Sequence, residues 1–293
     1  MRQSSPIEEV RSKVKVQGIL MMLVAAICCF ATLAFLIKFV PNIPLMEIIL
    51  FRNIPIMLII PLILTKKEIP ILGNNRPLLL LRSVLSAFAI VSYFYTIKVM
   101  NLTDAITIKQ LASLLSVLFA AIFLKEKISL KQVSIFVFGF LGILLVLKPG
   151  IRTDVFPTII GLGGAMMTAM GITIVRHLRS YDHPLVIVNY SGYVIGLTAL
   201  GVLLWQRNFI VPDIKSLIIL VLIGLLGSGA QYTLTLSYHM APPKLVSFYL
   251  YLTIVFAAIF DIFIFKKAPD LFSLFGASLI IVTGYLNYKL KAE

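Results

Sequence analysis

The chain is written as one apolar stretch after another, each about twenty residues long and separated by short polar or Pro- and Gly-bearing breaks. A helix needs about 20 apolar residues to cross roughly 30 Å of hydrocarbon. It also satisfies its own backbone hydrogen bonds there, as an open strand cannot. Segments 17–40, 45–64, 78–98, 104–124, 131–148, 157–176, 184–205, 214–237, 244–265 and 271–289 meet that requirement. The breaks include Pro41-Asn42-Ile43-Pro44, Gly73-Asn74-Asn75-Arg76-Pro77 and Lys148-Pro149-Gly150, all strong turn signals. Several breaks are so short that consecutive helices must form antiparallel hairpins. The expected fold class is an all-α integral membrane protein of ten transmembrane helices.

Composition excludes the soluble classes. Sixty per cent of the residues are apolar and only 13% charged, against about 45–50% and about a quarter in soluble domains. Mean hydropathy is +1.02, so the bilayer is the expected surroundings of most side chains. The net charge of +14 would suggest nucleic acid in a soluble protein. Here the basic residues stand in short clusters between apolar runs, where the positive-inside rule accounts for them, and no continuous basic face is present. Arg11, Lys13 and Lys15 precede the first run as in a signal peptide. Later runs are equally apolar, so it reads as a retained first helix. Cys28 and Cys29 are adjacent, point about 100° apart on a helix and form no disulfide framework. With the N-terminus inside, the inner segments carry roughly twice the Lys and Arg of the outer ones, which predicts that both termini are cytoplasmic; the expected membrane is a bacterial inner membrane.

The sequence is duplicated. Phe119-Ala120-Ala121-Ile122-Phe123 recurs as Phe256-Ala257-Ala258-Ile259-Phe260, each copy in the fourth helix of a five-helix half. Five is odd, so tandem halves insert in opposite orientations. Residues 1–148 and 154–293 are the expected inverted repeats, with a binding site at their interface.

Several stretches resemble the drug/metabolite transporter superfamily in its two-repeat EamA form, over nearly the full chain. Glu47 and Phe51-Arg52 resemble its second-helix signature, Arg82-Ser83 the start of its third helix, and Tyr95 through Ala105 its third-to-fourth hairpin. Leu124-Lys125-Glu126-Lys127 stands where that family has a Gly-Glu pair after helix four. Val175-Arg176, Ala241-Pro242 and Tyr251 fall at matching places in the second half, where Lys266-Lys267-Ala268-Pro269-Asp270 replaces the second Gly-Glu. The resemblance implies a secondary transporter of small metabolites, amino acids among them. The second-half pattern is most similar to S-adenosylmethionine carriers.

Enzyme chemistry finds no foothold. There is no His-Glu-x-x-His, Cys-x-x-Cys, Gly-x-Ser-x-Gly or Walker loop. Gly161-Leu162-Gly163-Gly164 lies in an apolar run and reads as close helix packing. His177, His183 and His239 are scattered near predicted boundaries. No catalytic residue, metal or cofactor is therefore expected. The informative residues are polar groups within the apolar runs, which hydrocarbon makes costly unless they face protein or water. Arg52 lies deep in its helix, whereas Arg82 is close enough to its helix end to snorkel. Glu47 and Arg52 stand about 140° apart, too far for a pair within one helix. Polar stripes run through Arg82, Ser86 and Tyr93; Lys109, Ser113 and Ser116 with Gln110 alongside; Ser228, Gln231, Thr235 and Tyr238; and Ser247, Tyr251 and Asp261. Asp261 could equally pair with Lys266 or Lys267. The expected substrate-binding set is Arg52, Tyr93, Lys109, Gln110, Gln231, Tyr232, Tyr251 and Asp261.

The partners expected are the bilayer and a small-molecule substrate. A zwitterion fits the intramembrane charges: Arg52 or Lys109 takes a carboxylate, and Asp261 or Glu47 with the tyrosine faces takes the positive end. S-adenosylmethionine is such a compound. The different-class alternatives are a membrane-embedded enzyme of lipid metabolism, or a helical lipid-flipping or assembly partner.

Overall fold

A computed structural model of the chain describes residues 16–124, 130–147, 155–240, 249–266 and 270–290. Its elements are α1 (Val16–Lys38), α2 (Leu45–Lys66), α3 (Arg76–Val99), α4 (Leu102–Leu124), α5 (Leu130–Leu147), α6 (Val155–Leu178), α7 (Pro184–Gln206), α8 (Ile214–Met240), α9 (Leu252–Phe263) and α10 (Leu271–Leu290). No strand occurs among the described residues. Seven of these helices are long and apolar enough to cross a membrane, all but α5, α9 and α10. The Glu126 turn, Ala241-Pro242, Ser247 and Lys267 lie outside the described residues.

The helices begin where side chains can serve orphan backbone N–H groups. Asn75 Oδ1 accepts the Leu78 N–H at 3.4 Å before α3, and Pro77 occupies the first turn. Asp213 accepts from Ser216 before α8 and Asp270 from Ser273 before α10. The bonds from Ser216, with those from the backbone, hold the Asp213 carboxyl below the usual carboxylate range. His183 caps α7 through Nδ1, which accepts the Leu185 N–H at 3.2 Å, and Pro184 follows. α1 carries a π-helical stretch at Ala25–Phe30, the widened turn often seen beside functional sites.

Packing partners exchange between the halves. The pairs α2–α7 and α5–α10 join equivalent helices. The contacts of α6 with α3 and α4 reappear as contacts of α1 with α8 and α9, and α2–α8 reappears as α7–α3. The registers of α2–α7, α5–α10 and α1–α8 run in opposite senses, whereas α4 and α6 run in the same sense, Gly161 facing Ile108 and the Thr173 hydroxyl donating to the Ser116 carbonyl. Along α2–α7, Gly196 faces Asn53 and Gly192 faces Ile56, and beyond them Tyr190 donates to the Leu72 carbonyl at 2.8 Å. Along α5–α10, Gly139 faces Thr283 and Gly142 faces Gly276. Along α1–α8, Gly229 faces Cys29, and Ser237 Oγ donates to the Gly18 carbonyl at 2.6 Å.

Apolar burial gives little drive between helices already in lipid, so these contacts depend on close packing. A methyl group on Gly164 would stand 2.7 Å from Ser92 Cβ, so α6 lies against α3 only because that residue is Gly. Gly161 approaches Ile108 and Thr96 in the same way, whereas nothing lies within 4 Å of a methyl on Gly163.

The course of α7 from His183 to Gln206 defines two ends of the bundle. At the Arg179 end, the α2–α3 and α6–α7 loops are bonded together: Asp182 accepts the N–H groups of Asn74 at 2.6 Å and Asn75 at 3.2 Å. The exposed Trp205 marks the other end, as expected of an aromatic at a membrane–water boundary.

Candidate functional site

A cavity of about 400 Å³ lies between the two halves, within the range of small-molecule sites. The first half contributes its cations: Arg52 on α2, Arg82 on α3 and Lys109 on α4. The second half contributes uncharged polar groups, including Thr168, Ser191, Gln231 and Thr253, with apolar wall from Ile195 and Leu250. Among the described residues, no Asp or Glu lines it.

Arg52 is 3% exposed and Arg82 8%, so neither snorkels out to water. The long Arg52 side chain fits because α8 presents Gly227 to it; a methyl there would stand 2.7 Å from Arg52 Cγ. One guanidinium N–H reaches Asn53 Oδ1 at 3.4 Å, and Asn53 is held in turn by donating to the Ile49 carbonyl at 2.7 Å. Arg82 donates to the Ile187 carbonyl at 3.4 Å. The Nε atoms of Arg52 and Arg82 are buried without a partner among the described residues. Lys109 Nζ lies 3.6 Å from the centroid of the Tyr93 ring and 4.3 Å from that of Phe30. Such cation–π contacts are worth about 2 kcal/mol when desolvated. Among the described residues, none of these three cations forms a salt bridge.

The lining reaches the Arg179 end through Arg176, Arg179 and Pro184, and we take that end as the mouth and those residues as its rim. The Trp205 end is closed by contacts between segments. Asp261 accepts the N–H groups of Leu102 at 3.3 Å and Thr103 at 2.7 Å, and the Thr103 hydroxyl at 2.7 Å. Lys38 donates to the Met100 carbonyl at 2.6 Å, and Lys98 donates to the carbonyls of Pro41 and Ile43. The Phe39 and Phe265 rings are 6.0 Å apart. Glu47 Oε2 accepts the Ile210 N–H at 3.2 Å, while Oε1 is buried without a partner among the described residues. Glu47 therefore belongs to this closed end and not to Arg52.

Of the residues expected at the site, the structure brings Arg52, Tyr93, Lys109, Gln110 and Gln231 to the cavity wall. Gln110 is engaged in holding that wall: its amide donates to the Leu250 carbonyl at 2.6 Å and Thr253 Oγ1 at 2.5 Å, joining α4 to α9. Tyr232, Tyr251 and Asp261 are not part of the lining. Tyr232 is 38% exposed on the surface of α8. Tyr251 is buried with its ring against Gly284 of α10. Asp261 caps α4; no ion pair joins it to Lys266 among the described residues, and Lys267 lies outside them. Periodicity gives each of these residues a face but not the neighbour on that face. Arg82, Arg176 and Arg179 are cavity residues outside the set expected from sequence. The stripe of Arg82, Ser86 and Tyr93 carries the signal for the first; Ser86 and Tyr93 line the same wall.

Comparison with known proteins fits this arrangement. The chain matches the EamA-like transporter family over residues 16–148 and 156–288. It is 29% identical over 243 residues to the pseudopaline exporter CntI of Pseudomonas aeruginosa, covering 82% of this chain and 85% of that protein. It is 29% identical over 275 residues to solute carrier family 35 member G1 of Mus musculus, covering 87% of this chain and 73% of the relative. The S-adenosylmethionine uptake transporter of Rickettsia prowazekii is 28% identical over 223 residues, 75% of each chain. A solved crystal structure shares the fold with a TM-score of 0.69 at 16% identity, over 97% of this chain and 99% of that one. Two matched stretches that together span nearly all of it show that this chain, a multi-pass membrane protein and a transporter, belongs to the EamA-like transporter family.

Proposed function

We propose that this chain moves a small carboxylate-bearing metabolite across the membrane by alternating access, with the cavity between the halves as the binding site. The observation that carries this reading is a set of cations, the buried Arg52 and Arg82 and the half-buried Lys109, facing a cavity with no carboxylate in its described wall. Leaving a charge buried and unpaired is strongly destabilising, so a stable place for Arg52 and Arg82, with Lys109 beside them, implies a ligand that answers them. Arg52 and Lys109 hold the carboxylate, the Tyr93 ring shapes the site, Gln231 faces them from the second half, and Gln110 fixes the wall.

The architecture under this reading has all ten helices crossing the membrane. Residues 1–148 and 154–293 form the two repeats, inverted relative to each other. The opposed registers of α2–α7 and α5–α10, together with the exchanged packing partners, support it. The Lys/Arg bias puts the Arg179 end and both termini in the cytoplasm of a cell's inner membrane, so the structure represents the inward-open state. The absence of a Walker loop leaves a gradient or solute exchange to drive net movement.

Of the zwitterion expected from sequence, the anionic half is retained. The acids assigned to its positive end, Asp261 and Glu47, belong to the closed Trp205 end, and Lys109 covers the Tyr93 ring. That favours an organic acid over S-adenosylmethionine. The test is flux of labelled organic acids, amino acids and S-adenosylmethionine into proteoliposomes containing this protein alone. Organic-acid flux that falls at least about tenfold in R52Q, with the protein still folded, is the expected result. Flux equal to empty liposomes for every compound would reject the reading.

A further inference from the structure

We propose that the cavity takes a compact, elongated metabolite bearing at least two anionic groups, one held at the Arg52–Lys109 level and another at Arg82 nearer the mouth. This rests on the transport reading above and names its substrate class. Three observations carry it.

The first is charge. Arg52, Arg82 and Lys109 line the wall, Arg176 and Arg179 the rim, and no Asp or Glu among the described residues accompanies them. One carboxylate brings a single charge to three interior cations, so even when Arg52 and Lys109 share it, Arg82 is left unanswered.

The second is spacing. Arg82 and Tyr93 lie eleven residues apart on α3, about 16 Å along a helix axis at about 1.5 Å per residue. Lys109 Nζ sits over Tyr93, and Arg52 Cζ lies 6.0 Å from the ring centroid of its neighbour Phe94. The cations therefore occupy two levels between the closed end and the mouth, and the reach of the long side chains narrows the gap between them.

The third is the unused bonding capacity at both levels. The Nε atoms of Arg52 and Arg82 are buried and unpartnered among the described residues, each guanidinium keeping one long bond to protein. A guanidinium is a fork made for carboxylate or phosphate oxygens. Among its described residues, the second half presents no charge to these cations apart from the rim arginines, so the ligand's remaining surface is expected to be uncharged.

The cavity's preference for anions can be tested before the natural solute is identified. The full chain, with Cys28 and Cys29 replaced by Ala and Ser86→Cys as probe, is treated with an anionic and a cationic methanethiosulfonate of similar size. Rates are normalised to those on a free thiol. A cavity lined by one sign of charge concentrates counter-ions at least about tenfold, so the anionic reagent should be favoured by that factor, and R52Q/R82Q should bring the ratio towards unity. Succinate, tricarballylate and 3-phosphoglycerate should slow the labelling, while acetate, L-lysine and S-adenosylmethionine at equal concentration should not. R82Q should weaken protection by succinate about tenfold, the loss expected for a charge-assisted bond. Stronger protection by tricarballylate assigns both groups to carboxylate, and stronger protection by 3-phosphoglycerate assigns one of them to phosphate. A cationic reagent as fast as the anionic one, or protection by L-lysine but not by the dianions, would overturn this class and leave the transport reading to the flux assay. Failure of both reagents to reach the probe would overturn the placement of the cavity itself.

Discussion

Arg52 and Gly227 form the most sensitive pair at the residue scale. The guanidinium stays in the cavity only because α8 offers no side chain at that point. G227A pushes a methyl group into Arg52 Cγ, and overpacking of this kind costs about 1–3 kcal/mol. We expect organic-acid transport to fall at least about tenfold in G227A while the protein still inserts, a result checked by flux normalised to membrane content. Asp261 gives a contrasting expectation because it acts away from the cavity. D261A leaves the buried N–H groups of Leu102 and Thr103 without their acceptor, a loss of about 2 kcal/mol. Thermal unfolding in detergent should shift downward in D261A, while binding of organic acids to the folded fraction should keep its affinity. The depth of Arg52 and Lys109 is legible in the sequence, because a charge inside an apolar run has few explanations. Asp261 as a cap and Asp261 as a ligand look alike there. Both need a buried carboxylate, and only the position of the α4 N-terminus separates them. The inward course of Arg82 is hidden for a related reason: distance from a helix end says that snorkelling is possible, not that the side chain turns outward.

Among the elements, α7 offers a pH-dependent start. His183 caps it by accepting the Leu185 N–H at Nδ1. Burial, followed by the nearby Lys67 charge, lowers the imidazole pKa from its ordinary value. Neutral His183 is thus favoured in the folded chain. The stability this gives is present above the usual His range near pH 6.5 and is lost as pH falls through the lowered value, because protonated Nδ1 cannot accept. The group is exposed, so the effect should be no more than about 1 kcal/mol, the worth of a cap. Thermal midpoints between pH 7 and pH 5 should drop in the native chain and drop less in H183N, since Asn caps at every pH in that range. Helix existence is legible from apolar run length, and the starts of α3 and α7 from their prolines. The ends are less so: α8 continues to Met240, beyond the expected 237, because the turn residues that would stop it come later. The Ala25–Phe30 π-helical stretch has no sequence signal, as its six apolar residues fit an ordinary membrane-spanning helix equally well.

The whole molecule is organised by exchange between the halves, with one departure from symmetry. Helices 2 and 7, and 5 and 10, meet their own equivalents, yet the interior cations described all come from the first half. That departure gives the cavity a positive wall facing one that, among the described residues, is uncharged inside the rim arginines, and an end that is sealed while the other is open. Alternating access requires the seal of Asp261, Lys38, Lys98 and Phe39–Phe265 to part in the outward-open state. The most direct measurement is labelling of a single cysteine in the cavity from each side of the membrane. Ser113→Cys, with Cys28 and Cys29 replaced by Ala, is exposed to an impermeant anionic thiol reagent on intact cells and, separately, on inside-out vesicles. Tyr251→Cys, packed against Gly284, serves as the buried control. The account predicts labelling of Ser113→Cys from both faces, with the control resistant from both. Labelling from the cytoplasmic face alone, in protein shown to be transporting, would make the cavity a dead-end pocket and contradict it.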